Sequence, residues 1–141
     1  MSLAVFSDEQ NNWPKETIVK TDAPFIDDRG EIRPIIDVPN QSVGIIFTNK
    51  GAIRANHYHK TDWHYCYIIS GSIDYYERPL GSKEKPNCIK IHAGETFFTP
   101  PMVEHVMLFP EDTVFLTISR NPRTHDLYES DIVRVDILKD I

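Results

Sequence analysis

The chain has 141 residues and a formal net charge of −6. That length suits one hydrophobic core rather than two, and a 40% hydrophobic content is that of a globular chain rather than a disordered one. The acidic balance, with no run of Lys or Arg, argues against nucleic acid as the main partner, and no stretch approaches the length of a membrane span.

Taken in chain order, the start MSLAVFSDEQNNWPKE lacks the basic residues and long apolar run of a signal peptide. Cys66 and Cys88 fit no CxxC pattern, so two free thiols in a reducing cytoplasm are expected. Residues 1–24 are polar and irregular and predict an N-terminal arm on a single domain spanning 1–141. Asp27-Asp28-Arg29-Gly30 reads as turn chemistry, with Asp side chains bonding nearby backbone N–H groups. From Ile32 the texture changes to short β-rich runs: Ser42–Thr48, Ala52–His57, Tyr65–Ile69, Ser72–Glu77, Cys88–Ile91, Glu95–Thr99, Val103–Leu108 and Thr113–Ser119. Gly, Pro, Asn and Asp separate them, and no long window carries helical spacing. Many short strands at fairly even spacing predict an all-β sandwich or barrel with its core over residues 42–119.

One segment is unusual. GAIRANHYHKTDWH, Gly51 to His64, holds three of the six histidines within eight residues. Residues i and i+2 of a strand share a face, so His57 and His59 point the same way. Lys60–Trp63 can form a hairpin loop that returns His64 opposite them. Three readings are open: a metal site, an acid–base site, or a solvated surface cluster. Neutral imidazole is a good ligand for divalent transition metals and also titrates near neutral pH.

These residues resemble the cupin signature. Its first motif, G-x5-H-x-H-x3/4-E-x6-G, is matched at every interval by Gly51, His57, His59, His64 and Gly71, with His64 where the family usually has Glu. The second, G-x5-P-x-G-x2-H-x3-N, is matched by Gly94, Pro100 and His105, with Met102 and Phe109 replacing the second Gly and the Asn. The resemblance implies an all-β double-stranded β-helix, or jelly roll. It also implies a divalent transition metal (Zn, Ni, Fe, Mn or Cu) on His57, His59, His64 and His105. Replacing Glu by His leaves that ligand set uncharged, which raises the Lewis acidity of a bound ion and weakens its retention. His92 and His125 lie outside both motifs and are read as non-ligating.

A second likeness, around Asp27-Asp28-Arg29-Gly30 and Arg54-Ala-Asn-His57-Tyr-His59-Lys60, is to cupins that epimerise or ketoisomerise nucleotide-linked deoxysugars; Ala55 stands where that group has Gly. That resemblance implies proton transfer next to a keto group, with His57 or His59 as base and Tyr58, Tyr75 or Tyr76 as acid. Strand parity places Arg54, a candidate partner for phosphate, on the face opposite His57. Phe97, Phe98 and Trp63 are expected as barrel walls, and Cys66 on the same face as His64.

The expectation is therefore a metal-dependent isomerase or epimerase acting on a small sugar or sugar-nucleotide, with no catalytic residue assigned. An Fe- or Cu-dependent oxygenase and a non-catalytic small-ligand-binding cupin are the alternatives. Jelly-roll edge strands are often covered by a partner or a swapped arm, so a homodimer is expected.

Overall fold

The structure, a computed structural model, describes residues 9–141. Residues 1–8 of the expected arm lie outside the described residues. The strands are β1 (Ile18–Val19), β2 (Phe25–Asp27), β3 (Gly30–Ile32), β4 (Ser42–Thr48), β5 (Ile53–His59), β6 (His64–Ser70), β7 (Ser72–Pro79), β8 (Asn87–His92), β9 (Thr96–Thr99), β10 (Val103–Leu108), β11 (Thr113–Ser119) and β12 (Ile132–Arg134). A seven-residue helix, α1 (His125–Asp131), precedes β12.

The strands form two five-stranded antiparallel sheets, ordered β1-β9-β6-β11-β4 and β12-β5-β10-β7-β8, while β2 and β3 make a separate hairpin. Consecutive strands repeatedly fall in different sheets, which is the double-stranded β-helix expected from the motifs. Alternation along each strand divides the apolar residues between two clusters. Cys66, Ile68, Ile73, Tyr75, Ile91, Phe97, Phe109 and Phe115 pack together as one buried core. Trp63, Tyr65, Phe98 and Ile118 form the second, covered by Trp13, Val19, Ile35, Ile36 and Val38. Phe97 is thus a wall of the barrel interior, whereas Phe98 and Trp63 belong to the second cluster. The β6–β7 turn requires Gly71, at φ 89°, because a Cβ there would overlap the Asp112 carbonyl oxygen and Thr113.

Four features depart from the sequence reading. The sheets extend beyond residues 42–119: β1 joins β9, and β12 joins β5. Ile18 and Val19 therefore pair within their own chain. Residues 60–63 are not a hairpin loop, because β5 and β6 lie in different sheets; His64 faces His59 across the barrel. Helix α1 is too short for its periodicity to register.

The fourth departure is in β5. His105 pairs with His57 but Val106 pairs with Ala55, so Asn56 is an extra residue in a β-bulge. Ala55 and Asn56 have φ of 68° and 60°, a left-handed conformation that Asn tolerates better than Ala. The Asn56 Oδ1 accepts from the Ile137 and Leu138 N–H groups at 3.0 and 3.1 Å, and its carbonyl accepts from Val135 N–H at 3.1 Å. The bulge resets the side-chain phase, so Arg54 lines the same cavity as His57. The parity argument that separated them assumed a regular strand.

Candidate active site and metal centre

The bulged strand carries His57 and His59 on its inner face. His105 is the cross-strand partner of His57 from β10, and His64 enters from β6 in the other sheet. All four are buried, His59 at 1% exposure. Ring centroids are 4.7 Å apart for His57–His59, 4.9 Å for His57–His105 and 4.5 Å for His59–His64. His92 and His125 are exposed, the former against Glu95. A solvated surface cluster is thereby excluded.

The outward atom of each of three rings faces a polar partner. The His105 Nδ1–H donates to the Val103 carbonyl at 2.9 Å, which leaves Nε2 with a free lone pair. His64 Nδ1 lies 2.7 Å from Ser119 Oγ, and His59 Nδ1 is 3.4 Å from Asp131 Oδ2, an ion-pair distance without hydrogen-bond alignment. Asp131 is the last residue of α1, and β12 beside β5 brings it there. Its Oδ1 accepts from the Thr61 N–H and hydroxyl at 2.9 and 2.6 Å, and its Oδ2 from the Asp62 N–H at 3.1 Å. Asp62 is buried too. Its Oδ1 accepts from Asn121 N–H at 2.9 Å, and its Oδ2 lies 3.5 Å from His64 Nε2.

Burial, followed by the neighbouring rings of His105 and His59, holds His57 down at about 2. Burial and the His59 ring hold His105 at about 3 and keep His64 well below its ordinary value. These three imidazoles are neutral at pH 7, with lone pairs available. Burial pushes Asp131 upward, but the His59 ring, Thr61 and Asp62 outweigh it and bring the carboxyl to about 2. Asp62 goes the other way: burial raises it to about 6 despite the Asn121 N–H.

The histidines open on a cavity of about 190 Å³. Its apolar walls are Ile46, Phe97, Met107 and Phe115, and Arg54, Arg123 and Tyr128 also line it. That volume falls below the range of pockets that enclose a drug-sized ligand. Arg54 is braced by Thr48 Oγ1 at 2.8 Å, and the Arg123 guanidinium sits 4.7 Å from the centre of the Tyr128 ring. A larger groove of about 1000 Å³ runs between residues 12–20 and β7–β8, but it gathers no histidines.

Tyr75 and Tyr76 pack within the sheet, and the Tyr75 ring lies 6.0 Å from the His105 ring, centroid to centroid. Tyr75 is fully buried, with its hydroxyl on Thr99 Oγ1 at 2.8 Å, and Tyr76 pairs with Cys88 on the far strand β8. The tyrosine at the cavity is Tyr128, on the helix that periodicity did not reveal. Cys66 does line the cavity; burial pushes its thiol up to about 12, so it is a protonated apolar wall. Both cysteines are unpaired. Asp62, Asp131, Arg123 and Tyr128 escaped the sequence reading; only Asp62, an acid inside a motif that lacks its Glu, carried any signal.

The donor set fits a divalent ion. Three rings, His57, His59 and His105, have nitrogens within 4.8 Å of one another, as do the donor atoms of His59, Asp62 and His64. The four histidines expected to meet at one point therefore fall into two adjoining groups that share His59.

No protein-family model and no curated protein sequence matches the chain. Solved structures do. A double mutant of the 3,4-ketoisomerase QdtA from Thermoanaerobacterium thermosaccharolyticum, in complex with TDP, is 24% identical over 83% of this chain and 85% of that one, with a TM-score of 0.66. A 3,4-ketoisomerase from Helicobacter canadensis is 16% identical over 86% and 93%, TM-score 0.68. The dTDP-4-dehydrorhamnose 3,5-epimerase of Sulfolobus tokodaii is 18% identical over 76% and 71%, TM-score 0.61. At these identities the likeness defines the fold, which is the cupin-type jelly roll shared with sugar-nucleotide ketoisomerases and epimerases.

Proposed function

We propose that the chain is a metal-dependent isomerase or epimerase that moves a proton next to the carbonyl of a nucleotide-linked keto-sugar. The observation carrying this reading is a nest of buried neutral imidazoles, backed by an ionised carboxylate, at a cavity with Arg54 and Arg123 in its lining. The diphosphate that would extend from a sugar ring there meets the guanidinium groups. The structural neighbours support the substrate class, since two of them act on such sugars or were solved with TDP.

The His105 Nε2 lone pair is left free by the Nδ1–H bond to Val103, and both His105 and Tyr128 line the cavity. Apolar walls exclude water from the reacting carbon. A divalent cation would be held by histidines of this cluster and would polarise the carbonyl oxygen as a Lewis acid. An imidazole nitrogen engaged by the cation takes no part in proton transfer, so the remaining rings do that work.

We also propose that the enzyme is a cytoplasmic homodimer. Its two unpaired thiols suit a reducing compartment. No described helix is long and apolar enough to cross a membrane. The outer row of edge strand β4, Val43, Ile45 and Phe47, is 63%, 55% and 71% exposed. An apolar edge of this kind is normally covered, and a second copy of the same row is self-complementary.

The test of the activity is incubation with TDP-4-keto-6-deoxyglucose in D₂O, with and without chelator. A gain of deuterium beside the carbonyl, lost on chelation and restored by metal, is expected. No exchange on any keto-sugar nucleotide by metal-loaded protein would overturn the reading, and exchange that survives chelation would remove its metal dependence.

A further inference from the structure

Two donor groups share His59. In the His57–His59–His105 group, neighbouring rings stand 4.7 and 4.9 Å apart, centroid to centroid, close to the 4.5 Å of His59–His64. In the other group, His59 Nε2 and His64 Nε2 are 3.1 Å apart, and His64 Nε2 is 3.5 Å from Asp62 Oδ2. An ion with bonds of about 2.1 Å holds adjacent donors about 3.0 Å apart in an octahedral arrangement and about 3.4 Å apart in a tetrahedral one. The spacing already present around His64 is therefore that of a coordination sphere.

A cation here would engage His59 Nε2, His64 Nε2 and Asp62 Oδ2 together. Their far sides are arranged to match: His64 Nδ1 meets Ser119 Oγ, His59 Nδ1 faces the Asp131 carboxylate, and Asp62 Oδ1 takes the Asn121 N–H. Outer partners of this kind orient metal ligands and fix the imidazole tautomer.

We infer that a divalent transition metal binds to His59, Asp62 and His64, with Asp62 supplying the carboxylate that the motif lacks at position 64. This assigns Asp62 a ligand role that the motif intervals do not predict. It also releases His57 and His105 from the metal, so that both rings remain for substrate. Two imidazoles and one carboxylate leave the remaining coordination positions for oxygen atoms of a ligand or water, on the cavity side where His59 and His64 are lining residues. The inference rests on the metal-dependent reading above, but its test reads occupancy and ligand identity without turnover, so the proton-transfer chemistry stands or falls separately.

The experiment is calorimetric titration of untagged, chelator-treated protein with Co²⁺. The parent is expected to bind one ion. Asp62→Asn, which keeps an oxygen for the Asn121 N–H, is expected to weaken binding at least 100-fold, and His105→Ala less than tenfold. Equal affinities for parent and Asp62→Asn, a loss in His105→Ala as large as in Asp62→Asn, or no binding by folded parent would each overturn the assignment. A variant-free measurement guards against misfolding. In ¹⁵N-labelled parent loaded with ¹¹³Cd, couplings are expected to the Nε2 atoms of His59 and His64 alone; coupling to His57 or His105 refutes the site.

Discussion

Acidification should unfold this protein by a calculable amount. His57, His64 and His105 are buried as neutral rings, and in the unfolded chain each returns to its ordinary value near 6.5. A histidine whose folded value is depressed contributes stability that is present above 6.5 and lost as pH falls, because the unfolded state then binds a proton that the native state refuses. Between pH 7.5 and 5.5 each such ring costs about 1.4 kcal/mol, and the three together about 4 kcal/mol. Asp62 opposes them. Its folded value of about 6 lies above the unfolded one, so protonation on the same descent returns about 1 kcal/mol. Glu77, also raised by burial, acts in the same direction as Asp62. The net loss is about 3 kcal/mol, or roughly 10 °C in melting temperature for a domain of this size. Urea unfolding of chelator-treated protein at the two pH values measures it. His57→Asn should cut the net loss by about 1.4 kcal/mol, nearly half. A loss under about 1 kcal/mol, or stability that rises on acidification, would show that these rings are not held neutral.

Three further outcomes test other parts of the structure. Asp131→Asn keeps an acceptor for Thr61 but removes the charge behind His59; deuterium incorporation should fall about 10- to 100-fold, and an unchanged rate would refute the backing role. Asn56→Ala loses the bonds to the Ile137 and Leu138 N–H groups and puts Ala where φ is positive; a cost of about 2–3 kcal/mol in urea unfolding is expected, and no change would mean that the bulge is held by other contacts. Phe47→Glu should convert the dimer to a monomer in light scattering; a parent that is already monomeric removes the proposed β4 interface.

The strands and the four motif histidines were legible because both are written in local spacing. Alternation every second residue marks a strand wherever it lies, and His57, His59, His64 and His105 sit at intervals that a jelly roll brings together. What the spacing left open was the geometry of their meeting. Strand parity misplaced Arg54 because the one-residue bulge at Asn56 is stabilised by contacts with residues 135–138, some eighty positions away. Tyr128 and Asp131 were invisible for a related reason: a seven-residue helix has no measurable period, and its last residue reaches His59 only because β12 pairs with β5.

Local pattern thus determined the fold class and the identity of the imidazoles, since the backbone period alone dictates which side chains share a face. Tertiary structure decided everything that depends on distances between segments remote in the chain. It divided four histidines into two groups, brought Asp62 within 3.5 Å of His64, and placed a carboxylate behind His59. Coordination and proton transfer vary steeply over an ångström, and no interval counted along a sequence carries that resolution.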